Sequence, residues 1–281
     1  MAGIGNRLNT FVDASGLVTV SVFSLQSGNA QQHFRDFGVN VADDMVCIGG
    51  GGTAAEAPNG ALLTASYPND QLSGWLVSSK DHEVPNPHQL TAFAIGLKIK
   101  NMSREQLLDN FLRVTTGDSG AAPHPEASAT MSDPFLLVSG GFRVDWNGAG
   151  NLGTASFPEN NFSWKVRSKD HDISDPSNIR AFAIGIRKDL PVGAVTALVR
   201  SADSATSAHP RSVAALPTGF AMTGGGAEVH WFGDGNLLWM LQPATRTDRQ
   251  EFSSASKDHI HPSPATITSG RRTAEPTTEP L

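Results

Sequence analysis

Lys-Asp-His occurs three times in this 281-residue chain, as Lys80-Asp81-His82, Lys169-Asp170-His171 and Lys257-Asp258-His259, at intervals of 89 and 88 residues. An ammonium donor, a carboxylate acceptor and an imidazole side by side have four kinds of chemistry open to them. They can move protons, bind the hydroxyls of a sugar, ligate a metal ion, or tie down a turn from inside the fold. The residues around them narrow the choice.

Proton transfer to a nucleophile is the least supported. Ser79, Ser168 and Ser256 precede the three lysines, so each copy carries the residue types of a serine triad. Neighbours in an extended segment point to opposite faces, and a triad needs its members to converge. No Gly-x-Ser-x-Gly elbow and no carboxylate pair for glycoside hydrolysis is visible, so the chain reads as a non-enzyme. Metal ligation would have to combine His82, His171 and His259 with His33, His124 and His209 and a carboxylate. No His-x-x-x-His spacing supports that, and His88, His230 and His261 fall outside the pattern. No metal and no cofactor is expected.

Two readings remain. In the binding reading, Lys80, Asp81 and His82 beside Trp75, Lys169, Asp170 and His171 beside Trp164, and Lys257, Asp258 and His259 beside Phe252 form three sugar sites. Carboxylate and ammonium pair with vicinal hydroxyls, and the aromatic covers the apolar face of a pyranose. Three weak sites on one body would gain avidity on a repetitive glycan or cell-surface polymer. In the structural reading, Asp81, Asp170 and Asp258 accept hydrogen bonds from the turn leading to the following Pro. The imidazoles then pack under the aromatics or pair with the unit's other His. The sequence favours a non-enzymatic, multivalent, carbohydrate-binding or adhesion module. Its alternative is a structural component of a surface, coat or appendage assembly, with the triplets as internal struts.

The elements that position these residues repeat with them. Trp75, Trp164 and Phe252 stand five residues before each Lys, and Pro87, Pro176 and Pro264 five after each His. His33, His124 and His209 precede Gly49, Gly140 and Gly224 by 16, 16 and 15 residues. Self-similarity at such a period marks a repeat architecture. In the second copy, 111–115, 135–146, 152–157, 162–167 and 180–186 read as strands, with turn signals every 8–12 residues, giving about six strands per unit. The expected class is all-β: three repeats of about 88 residues over 1–90, 91–179 and 180–268, as a pseudo-threefold prism or barrel or as three small sandwiches. Only 103–110 reads as a helix, capped by Ser103.

The Gly runs (49–52, 140–141 and 224–226) lack the Lys-Ser/Thr and helix of a phosphate loop, so they indicate bulges or close backbone approach. The third copy lacks the Phe-Ala-Ile-Gly of 93–96 and 182–185. Ala2-Gly3-Ile4-Gly5 at the chain start is expected to supply that strand and close a ring. From 269 the composition predicts a disordered tail.

The formal charge is −6 without a basic stripe, which argues against nucleic acid. The one cysteine, Cys47, lies in an apolar stretch and reads as a small buried hydrophobe. No run approaches a membrane helix and no signal peptide opens the chain. A secreted or surface location is favoured over the cytoplasm, and a homo-oligomer is compatible with the plan. That plan resembles lectin-like proteins that build three-fold β architectures from internal repeats. The trefoil repeat, however, is about half this length, and no family motif matches residue by residue.

Overall fold

A computed structural model of the chain describes residues 3–57, 59–243 and 250–277, the last seven as backbone only. The protein is all-β, 61% strand and 3% helix, in several sheets, one of them curled as a half-barrel. The first stretch holds β1 (Gly3–Ile4), β2 (Asn6–Val12), β3 (Val18–Gln26), β4 (His33–Asn40), β5 (Val46–Thr53), β6 (Leu62–Pro68), β7 (Gly74–Lys80) and β8 (Thr91–Ile99). The second holds β9 (Leu112–Asp118), β10 (Glu126–Thr130), β11 (Phe135–Asp145), β12 (Leu152–Pro158), β13 (Ser163–Lys169) and β14 (Asn178–Arg187). The third holds β15 (Asp189–Leu190), β16 (Gly193–Asp203), β17 (Arg211–Ala215), β18 (Ala221–His230), β19 (Asn236–Pro243), β20 (Glu251–Asp258) and β21 (Thr266–Thr277). The expected helix is present in short form: Ser103 caps α1 (Arg104–Gln106) in a reciprocal capping box with Gln106, and a π-helical turn follows over Leu107–Phe111.

Three seven-stranded sheets run β1-β4-β7-β6-β11-β14-β9, β10-β13-β12-β18-β21-β16-β15 and β17-β20-β19-β5-β8-β3-β2. Each joins four strands of one stretch to three of another through a short antiparallel ladder: β6 on β11, β12 on β18, and β19 on β5. The third sheet therefore draws on both ends of the chain. Sheets built from two stretches cannot come apart into independent sandwiches without breaking these ladders.

The pairing moves the boundaries drawn at 90/91 and 179/180. β8 lies between β3 and β5, and β14 between β11 and β9, so each closes the stretch before it. The expectation about the chain start is also overturned. β21 takes the last-strand place itself, paired to β18 on one side and β16 on the other. β1 instead runs parallel to β4, and β2 extends the third sheet beyond β3. The predicted tail from 269 is strand as far as 277. Polar composition does not forbid a strand whose backbone groups are satisfied on both sides.

The glycines serve packing. Register shifts at Cys47/Gly49, Leu137/Ser139 and Met222/Gly224 mark a bulge at the same place in β5, β11 and β18. Just beyond it, Trp75, Trp164 and Phe252 lie flat on Gly50, Gly140 and Gly225. A Cβ there would come within 2.4 Å of Trp75 Cγ, 2.3 Å of Trp164 Cγ and 2.3 Å of Phe252 Cγ. The two indoles donate to Ser66 Oγ (2.8 Å) and Ser156 Oγ (2.9 Å), and the third position, a Phe, has no donor to satisfy. A separate apolar trio of Leu62, Leu152 and Leu237 pairs in register with Lys80, Lys169 and Lys257, which places the triplets around one interior point.

Candidate functional site

Each triplet ends an inner strand, β7, β13 or β20, so its Lys is still sheet-bound and its His already lies in the loop. That loop is a tight one. The carbonyls of His82, His171 and His259 accept from the N–H two residues on, at 2.6, 2.6 and 2.7 Å. The residues between, Glu83, Asp172 and Ile260, have φ of 59°, 54° and 64°. This is the rare, strained form of γ-turn, and it follows each of the three triplets although none of the central residues is Gly or Asn. The turn breaks the alternation expected of a strand and sends all three imidazoles inward.

There they meet. The ring centroids of His82, His171 and His259 are 5.4, 5.4 and 5.0 Å apart. The imidazoles thus pack on one another instead of beneath the aromatics Trp75, Trp164 and Phe252 or against the other His of each unit. His259 Nε2 contacts the His82 carbonyl at 2.7 Å, and His82 Nε2 the His171 carbonyl at 2.6 Å. Their Nδ1 atoms face Asn59 O (3.1 Å) and Ala149 O (3.2 Å). His171 departs from this pattern, because neither ring nitrogen makes a hydrogen bond. Its Nδ1 lies 3.1 Å from Asp172 Oδ2 without hydrogen-bond direction. Burial pushes the His171 imidazolium down to about 4, against the opposing pull of Asp172, and burial lowers His259 as well.

The lysines reach across to other stretches. Lys80 donates to the carbonyls of Gly148 (2.9 Å) and Ala149, Lys169 to Asp234 (2.5 Å), and Lys257 to Ala55 (2.8 Å), Glu56 (3.1 Å) and Gly60 (2.5 Å). They are 2%, 3% and 0% exposed. Burial pushes Lys80 down to about 8 and Lys257 to about 7, opposed by carboxylates nearby, and lowers Lys169 in the same way. Two ammonium groups also face indoles, Lys80 at 4.1 Å from the Trp146 ring and Lys169 at 4.9 Å from Trp231. His33 and His124 pack edge-on against the same two indoles, and His209 sits 3.4 Å from Glu56.

The carboxylates hold the turns. Asp81 accepts from Ala61 N (3.2 Å) and Asn86 N (2.5 Å), Asp170 from Asn151 Nδ2 (2.5 Å) and Asp175 N (3.0 Å), and Asp258 from Ser263 N (3.4 Å). Asn86, Asp175 and Ser263 each directly precede Pro87, Pro176 or Pro264. Trp75, Trp164 and Phe252 are at most 1% exposed, so none offers a ring face to a ligand.

Sequence reasoning missed Trp146, Trp231, Glu83, Asp172 and the Asn151–Asp170 pair. The aromatic after β11 and β18 was a usable signal for the first two, but its relation to Lys80 and Lys169 lies wholly in space. Cys47 is fully buried, and burial pushes its thiol up to about 12. Among the described residues one group has metal-ligand geometry, His82, Glu83 and His171, whose donor atoms all lie within 4.8 Å of one another. No described helix is long and apolar enough to cross a membrane. No family model matches the chain, and no curated protein matches it either.

Proposed function

We propose that the chain is a non-enzymatic architectural protein of the kind that builds a surface, coat or appendage assembly. In this reading it is a closed pseudo-threefold β body whose Lys-Asp-His triplets are internal struts. The observation that carries it is the destination of the three lysines: each ammonium is buried among backbone carbonyls of a turn belonging to the next stretch, the third returning to the first. Such a circuit links the two ends of the chain and leaves the inter-stretch ladders no independent way to open.

The repeated strand order, the three matching bulges and the Leu62–Leu152–Leu237 trio support the same reading. A sugar site built from these residues would need them at the surface beside an open aromatic face. Here the Lys, the His and the aromatic are enclosed, and the Asp oxygens are engaged by backbone and Asn donors.

The test is a broad glycan array on wild type and on the Asp81/Asp170/Asp258→Ala triple variant, with thermal melting of both. The strut reading expects no glycan capture by wild type and a variant that melts far lower or fails to fold. Capture by wild type, lost in a variant with native melting, would overturn it in favour of a trivalent lectin-like protein.

A further inference from the structure

The three-imidazole centre contains a conflict that the strut role leaves standing. His82 Nε2 faces two oxygens, the His171 carbonyl at 2.6 Å and Glu83 Oε1 at 2.9 Å, and its Nδ1 faces a third, the Ala149 carbonyl at 3.2 Å. A neutral imidazole has one N–H, so one nitrogen must turn its lone pair toward oxygen. With Nδ1–H given to Ala149, the Nε2 lone pair, a carboxylate and a carbonyl all converge on one point. His171, only 1% exposed, brings two ring nitrogens without hydrogen bonds to the same place. In that tautomer a cation among these donors would relieve the opposition of lone pairs, and the unpaired nitrogens of His171 give it a second ligand.

We propose that a divalent transition-metal ion of the zinc class binds between His82 Nε2, a ring nitrogen of His171 and the Glu83 carboxylate. Two imidazoles and a carboxylate are a donor set that zinc takes readily, with bonds of about 2.0–2.2 Å. Imidazoles sharing such an ion in tetrahedral geometry have ring centroids about 5 Å apart, from that bond length and the ring radius. The 5.4 Å between His82 and His171 matches this. The donor atoms already lie within 4.8 Å of one another.

The outer contacts suit the role. Ala149 O orients the His82 ring through Nδ1, and Asp172 Oδ2 lies 3.1 Å from His171 Nδ1, so a carboxylate or carbonyl stands behind each imidazole. The γ-turn supplies what an extended strand could not, because positive φ at Glu83 brings its carboxylate back to within 2.9 Å of His82 Nε2. A cavity of about 240 Å³ that includes Glu83 and Ala149 in its lining adjoins the site on the side of Glu83.

The test uses full-length protein carrying no histidine tag, stripped with chelator and titrated with Zn²⁺ by calorimetry and with Co²⁺ by visible absorption. One ion per chain is expected, with intense d–d bands from a low-coordinate site. Both His171→Asn and Glu83→Gln should weaken binding by about tenfold or more, while His230→Gln, away from the centre, leaves it unchanged. Should His171→Asn fail to fold, Glu83→Gln decides, since its side chain is 31% exposed and strands no buried donor. Absence of Zn²⁺ and Co²⁺ binding by folded wild type would overturn the proposal. So would binding unaffected by Glu83→Gln. The strut reading fails by a different measurement, glycan capture with native melting, so the two outcomes are separable.

Discussion

Asp81→Ala should destabilise the protein by about 3 kcal/mol. The carboxylate is 6% exposed and accepts two backbone N–H groups, Ala61 N at 3.2 Å and Asn86 N at 2.5 Å. Ala61 is fully buried and Asn86 nearly so, so water cannot replace either bond. A buried donor left without its partner costs about 1–3 kcal/mol, and bonds to a charged acceptor lie toward the upper part of that range. The Ala61 bond is long, which puts the pair in the lower half of the summed range of about 2–6 kcal/mol. For a chain of this size each kcal/mol lowers Tm by about 2–4 °C, so the drop should be about 6–12 °C. Asp81→Asn should do no better than alanine, because one of its two positions presents N–H to a backbone N–H. Urea unfolding followed by tryptophan fluorescence measures both variants, with the slope checked for constancy. A loss below about 1 kcal/mol in either, close to the scale of a surface substitution, would refute the strut argument.

Other expectations follow from the same geometry. Gly140→Ala drives a Cβ to 2.3 Å from the Trp164 ring and 2.4 Å from Phe182 O, and should cost about 3 kcal/mol or more by overpacking. Gly28→Ala, with nothing within 4 Å, should melt like wild type, and equal melting of the two would remove the packing account of the Gly runs. Cys47, its thiol raised to about 12, should resist a disulfide-exchange reagent at pH 8 until the protein is denatured; fast native labelling would contradict its burial. Lys257 makes a pH prediction. Below about 7 the ammonium is charged in both states and its burial is fully unfavourable. Between about 7 and the ordinary 10.5 the unfolded chain binds the proton that the folded one releases, so stability rises with pH across that window. Lys257→Met should flatten that rise in chemical-denaturation curves, and an unchanged slope would show that Lys257 is not its source.

The sequence by itself determined the local and periodic features of this protein. Strand class followed from turn signals and short apolar runs, and Ser103 and Gln106 were legible as a helix start because capping is settled within four residues. Glycines inside apolar strands indicated close approach, which the indoles on Gly50 and Gly140 bear out. The dependence of the pre-proline turns on Asp81 and Asp170 was within reach for the same reason, since their N–H donors are five residues away. Even some local structure escaped: β10 points only Ala127 and Ala129 inward, too little apolar contrast to mark a strand.

Tertiary structure decided what the triplets touch. Lys80 finds its carbonyl partner 68 residues on, and Lys257 reaches back 202 residues to Ala55. No periodicity encodes which turn receives which ammonium. The convergence of His82, His171 and His259 depends on γ-turns at Glu83, Asp172 and Ile260; Glu and Ile have no intrinsic leaning to positive φ, so there the surrounding packing must impose it. β21 is the same lesson in reverse. Its polar residues give no strand signal, and it is a strand because β16 and β18 bond its backbone on both sides.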